Sequence, residues 1–135
     1  MIKERLRFRK SQIQKEISEI NVRINRIDSI LDSDGGLDNS IWESLEAEQR
    51  RLYAKLGKLE NILKYFSVDE LEGLNEWTTK FLSTFSVGTR LITNRQAEVF
   101  KKINHGKPFI YNGIFYDFAM GRKFSHVFVV NLDVL

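Results

Sequence analysis

Apolar residues recur at Leu6, Ile13, Ile17, Ile20, Ile24, Ile27 and Leu31, and past the first gap, interrupted by Lys10, the steps alternate four and three. That is a heptad seam, and it predicts a helix over residues 3–31. The stretch Asp32-Ser33-Asp34-Gly35-Gly36-Leu37-Asp38-Asn39 then favours a turn, because glycines and short polar residues leave the helix easily. Ser40 and Glu43 stand in a Ser-x-x-Glu capping box that predicts a second helix over 41–66. Its seam is Trp42, Leu45, Gln49, Leu52, Leu56, Leu59, Leu63 and Phe66. Two helices of roughly 40 Å each, at 1.5 Å per residue, joined by a short loop run antiparallel. This places Lys10 near Glu60 and Gln49 near Arg23 and Ile24, as polar positions that set the register. One stripe per helix is covered in such a hairpin, so a homo-oligomer, most simply a dimer forming a four-helix bundle, is expected.

The pattern changes after Phe66. Ser67 and Glu70 form another capping box, followed by Val68, Leu71, Leu74, Trp77, Phe81 and Phe85 at helical spacing, which predicts a helix over 68–85. Thr93 and Gln96 form a third box ahead of Ala97, Val99, Phe100 and Ile103, predicting a helix over 94–104 closed by a left-handed Gly106. Asn112-Gly113 between two apolar runs is a hairpin signal, since a type I′ turn needs positive φ at both central residues. Strands are therefore expected over 109–112, 114–118 and 124–130, as a three-stranded antiparallel sheet whose aromatics are mostly core. The predicted fold is α+β and mostly α. A long, coiled-coil-like antiparallel helical hairpin (1–66) precedes a small mixed domain (67–135) of two short helices and an antiparallel sheet with an Asn-Gly hairpin.

Composition sharpens this division. Of the 135 residues, 42% are hydrophobic and 29% charged, too apolar for a disordered chain. The part through Phe66 has 13 Lys/Arg, 11 Asp/Glu and 5 aromatics, and the remainder has 8, 7 and 11. No apolar run approaches a bilayer-spanning length, the longest being 127–130, and the charged start lacks the apolar core of a secretory signal. The absence of cysteine excludes a disulfide scaffold and a thiolate nucleophile, and it fits a reducing, cytoplasmic setting.

A net charge of +3 permits nucleic-acid binding without demanding it. More informative is its distribution along the predicted hairpin. Asp28, Asp32, Asp34, Asp38, Glu43, Glu46 and Glu48 gather towards the loop, and Lys3, Arg5, Arg7, Arg9, Lys10, Lys55, Lys58 and Lys64 towards the open end. Cations in the first turns of a helix oppose its dipole, so the cluster on helix one does not serve helix stability. It could meet phosphates, or it could be a solvated end. The candidate contacts to nucleic acid or a partner are Arg5, Arg7, Arg9, Lys55, Lys58, Arg95, Lys101, Arg122 and Lys123.

Candidate chemistry is sparse. Asp32, Asp34, Gly36, Asp38, Ser40 and Glu43 fall at the odd and twelfth positions of a calcium-binding EF-hand loop. However, Leu37 stands where the sharp turn needs glycine, and Gly36 where an oxygen ligand belongs, so Asp32, Asp34, Asp38 and Glu43 read as an acidic loop. The two histidines, His105 and His126, lie in no metal-binding or catalytic motif, and neither a nucleophile elbow nor a phosphate-binding loop is present. A non-enzymatic role with no cofactor and no metal is the expectation.

Trp77, Phe81-Leu82, Gly88, Leu91-Ile92-Thr93-Asn94-Arg95-Gln96, Val99-Phe100 and Lys102-Ile103 form a block over 77–103. It resembles a Trp, Phe-Leu, Gly, Leu-[Thr/Ser]-x-[Arg/Lys]-Gln block of phage and bacterial DNA recombination and replication accessory proteins. The Thr-x-Arg-Gln-x-x-Val-Phe run also resembles the opening helix of LexA-type winged-helix repressors, although strands rather than further helices are predicted after it. The resemblance implies a part in DNA transactions and assigns no residue a role. The expected function is an oligomerising accessory or regulatory protein associated with nucleic acid or its machinery. The alternative is a phage-type interaction module that binds a host protein, as inhibitor or assembly adaptor, without touching nucleic acid.

Overall fold

The computed structural model describes residues 2–33 and 38–135. Asp34, Gly35, Gly36 and Leu37, where the sequence places its turn, lie outside the described residues. The architecture is α+β and mostly α: two long helices in sequence, then a small mixed sheet with short helices. Contacts divide the chain into two compact units, Arg7–Lys64 and a second formed by the chain up to Leu6 with Tyr65–Leu135.

In the first unit, α1 (Ile2–Asp32) and α2 (Asn39–Tyr65) form the hairpin. Its direction is fixed by side-chain pairs that link low numbers on α1 to high numbers on α2. Glu16 meets Lys55 at 2.9 Å, Arg23 grips Glu48 through two hydrogen bonds of 2.8 and 3.0 Å, and Gln49 donates to Asp28. The Arg23 guanidinium holds the Glu48 carboxyl below the usual carboxylate range, chiefly through the hydrogen bonds. Ile13, Ile20, Ile24, Ile27 and Leu59 are buried, whereas Leu45, Leu52 and Leu56 of the α2 seam are half-buried. The start of α2 departs from the expected box. Asp38 is the cap, its carbonyl accepting from the Trp42 N–H at 3.0 Å and its carboxylate from the Ser40 N–H at 3.1 Å. Asp38 wins over Ser40 because an Asx side chain satisfies a free N–H of the first turn equally well from two residues earlier.

The second unit differs more from the sequence expectation. No helix spans 68–85. Residues Asp69–Glu70 form a short strand, β1, and the helix α3 covers only Glu76–Ser83, capped by Asn75, whose side chain accepts from the Thr78 N–H at 2.8 Å. The reason is Gly73, whose φ of +68° interrupts any helix through it. A strand β2 (Gly88–Ile92) lies where a loop was expected. Then come α4 (Asn94–Lys102), β3 (Phe109–Tyr111), β4 (Ile114–Met120) and β5 (Ser125–Asn131). The sheet has five strands in the order β1-β3-β4-β5-β2, with β1 parallel to β3 and the other pairs antiparallel. The expected three-stranded antiparallel sheet is thus its centre, extended by an edge strand on each side.

Two local expectations are met. Thr93 and Gln96 make both halves of their capping box, at 3.1 and 2.9 Å. Asn112 and Gly113 have φ of 51° and 78° and join β3 to β4 in register. The α3 and α4 side of the sheet is closed by a cluster that includes Leu82, Phe85, Phe100, Phe109, Tyr116, Val127 and Val129. On the opposite face, the Tyr65 ring packs against Phe115 at 5.0 Å and Phe128 at 6.1 Å.

Candidate functional site

Trp77 lies in the first turn of α3, and its indole is 63% exposed. Aromatic side chains of this size are usually drawn inward, so a rigidly presented one is informative. The ring is parallel to Phe81, with centroids 5.8 Å apart. Phe81 in turn meets Phe100 at 5.1 Å, and Phe100 meets Phe118 at 5.8 Å, so a ladder of rings runs from the surface into the core.

A groove of about 480 Å³ opens beside the indole. Leu71, Leu74, Val99 and Ile103 give it an apolar lining, and Asn75, Lys102 and Asn104 bring donors and one charge to its rim. Asn104 is held in place: its amide donates to the Asp69 carboxylate and the Pro108 carbonyl, both at 3.1 Å. Its backbone is left-handed, as are those of His105 and Gly106 (φ 51°, 56° and 77°). The sequence expectation of a left-handed Gly106 is met, but the left-handed stretch starts two residues earlier. A non-glycine residue in this conformation costs free energy that the surrounding hydrogen bonds must offset. On α4, Arg95 and Lys102 lie one turn either side of the groove residue Val99, whereas Lys101, two residues from Val99, is exposed on another face of the helix.

The candidates named from sequence do not form one site. Arg5 pairs with Asp133 at 3.7 Å and belongs to the second unit. Arg7 and Lys58 are exposed on the hairpin, Arg9 is half-buried, and Lys55 is engaged by Glu16. Arg5 and Arg9 fall on one side of α1 and Arg7 on another, because residues four apart share a helix face and those two apart do not. Lys3, counted in the same basic end, pairs with Glu72 at 3.1 Å. Lys3, Arg5 and Lys55 of that expected cluster are therefore paired with carboxylates locally. Arg122 and Lys123 lie in the β4–β5 turn, flanked by the exposed Met120 and Phe124.

Asp32 and Glu43 are exposed, Asp38 is used as a cap, and Asp34 is outside the described residues. Among the described residues, no three His, Cys, Asp or Glu side chains come together in a way that could hold a metal ion. His105 and His126 are both exposed, and Ser125, the neighbour of His126 on β5, is buried on the other face. No helix among the described residues is long and apolar enough to cross a membrane.

Trp77, Lys102, Asn75 and Asn104 are the residues that the candidate set omitted. Trp77 has the spacing of an apolar position in the expected 68–85 helix, but it stands in the first turn of α3 and is exposed. The available signal was Gly73 two residues before Asn75, a breaker followed by a cap. Compared with protein-family models, curated proteins and solved structures, the chain matches none.

Proposed function

We propose that the chain is a non-enzymatic accessory protein that associates with single-stranded nucleic acid through the Trp77 groove. The observation that carries this reading is the exposed indole, stacked on Phe81 at the mouth of a groove that bears Lys102. Every nucleobase has a flat π-face, so an ordered aromatic platform beside cations binds single strands with little sequence preference. Arg95 on the same face of that helix supplies a further phosphate contact, and Arg122 and Lys123 beside the exposed Phe124 repeat the pairing of cation with aromatic at the β4–β5 turn. The resemblance of residues 77–103 to DNA accessory proteins points the same way and covers both Trp77 and Lys102.

The chain has two tryptophans. In a Trp42→Phe background, titration with an oligothymidylate is expected to quench the remaining indole. Trp77→Ala should weaken binding roughly 5- to 150-fold, the equivalent of about 1–3 kcal/mol per stacked base. Removing Arg95 and Lys102 should flatten the dependence of affinity on salt, because each phosphate contact releases counterions. No quenching at low salt would end this reading.

The apolar lining of the groove favours a second reading, a docking site for a protein partner. Trp is a common anchor at such interfaces. A stoichiometric complex that survives high salt and is lost in Trp77→Ala, with no oligonucleotide binding, would select it.

A further inference from the structure

The two sides of the helical hairpin are unequal. On one side, α1 and α2 are latched by Arg23–Glu48 and Glu16–Lys55. The other side carries Gln49–Asp28 and leaves apolar groups part-covered: Tyr53 is 51% exposed, Trp42 is 36% exposed, and Ile17 and Leu56 are half-buried. Residues three, four and seven apart share a helix face, so Trp42, Glu46, Gln49, Tyr53, Leu56, Glu60 and Lys64 line this side of α2.

Charge is ordered along that same side. Towards the loop it bears Asp28, Asp32 and Glu46; towards the open end it bears Arg7, Lys10 and Lys64, with Glu60 the one exception. Tyr53 and Ile17 lie near the middle. A surface with opposite charges at its two ends and apolar groups between them is complementary to itself turned through a half-rotation. A parallel pairing would instead oppose acid to acid and base to base.

We infer that this side of the hairpin binds a second copy of the chain in antiparallel orientation, with the two-fold axis near Tyr53, and that the four helices form an antiparallel bundle. In that arrangement the half-covered leucines of α2 gain apolar neighbours, and each acidic loop end meets a basic open end. This inference uses only the hairpin and stands independently of the nucleic-acid reading.

The chain contains no cysteine, so a single introduced thiol reports on the interface directly. Under mild oxidation the full-length Tyr53→Cys variant should cross-link to a covalent dimer. Trp42→Cys should not, because in the antiparallel arrangement the two positions are separated by roughly 33 Å along the bundle at 1.5 Å per residue. Light scattering of the unmodified chain should show a dimer, and Tyr53→Arg should shift it towards monomer by at least tenfold in concentration with its circular dichroism unchanged. Arg7→Glu with Lys10→Glu should weaken the dimer, and adding Asp28→Lys with Glu46→Lys should restore it. A monomer at hundreds of micromolar, a dimer indifferent to Tyr53→Arg, or efficient cross-linking of Trp42→Cys would each overturn the inference.

Discussion

Asp117 is an exposed position of β4 directly across from Phe128 of β5, and the partial desolvation it meets there pushes its carboxyl above the usual carboxylate range. An acid with a raised folded pKa holds its proton more tightly in the fold than in the open chain. Its favourable contribution is therefore present at low pH and is lost as pH rises through the interval between the two values. Asp117→Asn should raise the melting temperature slightly at neutral pH, the solvent around this exposed position screening most of the effect, and leave it unchanged near pH 3. An unchanged value at neutral pH would count against the burial argument. Glu48 has the opposite sign: its lowered pKa stabilises the fold above the ordinary carboxylate value, and this is lost as pH falls through the lowered one. Tyr116 is buried and its phenol is pushed up to about 12, first by burial and then by Tyr111. The fold should accordingly weaken as pH climbs from about 10 towards 12, and Tyr116→Phe should blunt that alkaline loss. Backbone geometry gives a further prediction at this scale. A Cβ at Gly121 would collide with the Phe124 carbonyl oxygen, the same atom that accepts from the Gly121 N–H at 2.9 Å. No rotamer relieves a clash with main chain, so Gly121→Ala should destabilise by about 1–3 kcal/mol in denaturant titration.

At the scale of elements, the same glycine-to-alanine change has the opposite sign in α2. Gly57 lies inside the helix, with nothing within 4 Å of where a Cβ would stand. Gly57→Ala should raise stability by about 0.5–1 kcal/mol, the ordinary helix cost of glycine, and a loss of stability in denaturant titration would count against an open site. Legibility of the elements followed the range of the forces that make them. The Thr93–Gln96 box and the Asn112-Gly113 turn depend on neighbours a few residues away, and the sequence reading met the structure at both. The same capping pattern at Ser67 and Glu70 misled, because Glu70 pairs with the distant Ile110 in a parallel ladder, and Gly73 takes a left-handed turn. The strand β2 left no apolar alternation to read, since four of its five residues are exposed at the edge of the sheet. Trp77 is legible as an aromatic at helical spacing, but its exposure depends on how α3 packs against the rest of the unit, which spacing along the chain does not encode.

Taken as a whole molecule, the chain builds its two units on different kinds of core. The unit containing the sheet buries a three-dimensional cluster of aromatic and branched side chains between sheet and helices. The hairpin unit buries a single isoleucine stripe on α1, while most of the facing leucines of α2 are only half-covered. Burial of apolar area is the main source of stability, so local opening should be unequal across the chain. Hydrogen exchange at low micromolar concentration should show the slowest amides in β4, β5 and α4, and faster exchange along α2 from Leu45 to Leu56. Helices held by one stripe depend on tertiary contact for most of their order, which makes α2 sensitive to whatever covers its open side. Raising the protein concentration should therefore slow α2 amides selectively and leave β4 and β5 unchanged, since mass action stabilises only the segment that association covers. Equal protection in both units at every concentration would mean that the hairpin is already fully stabilised within one chain, and the half-buried leucines would then need no further partner.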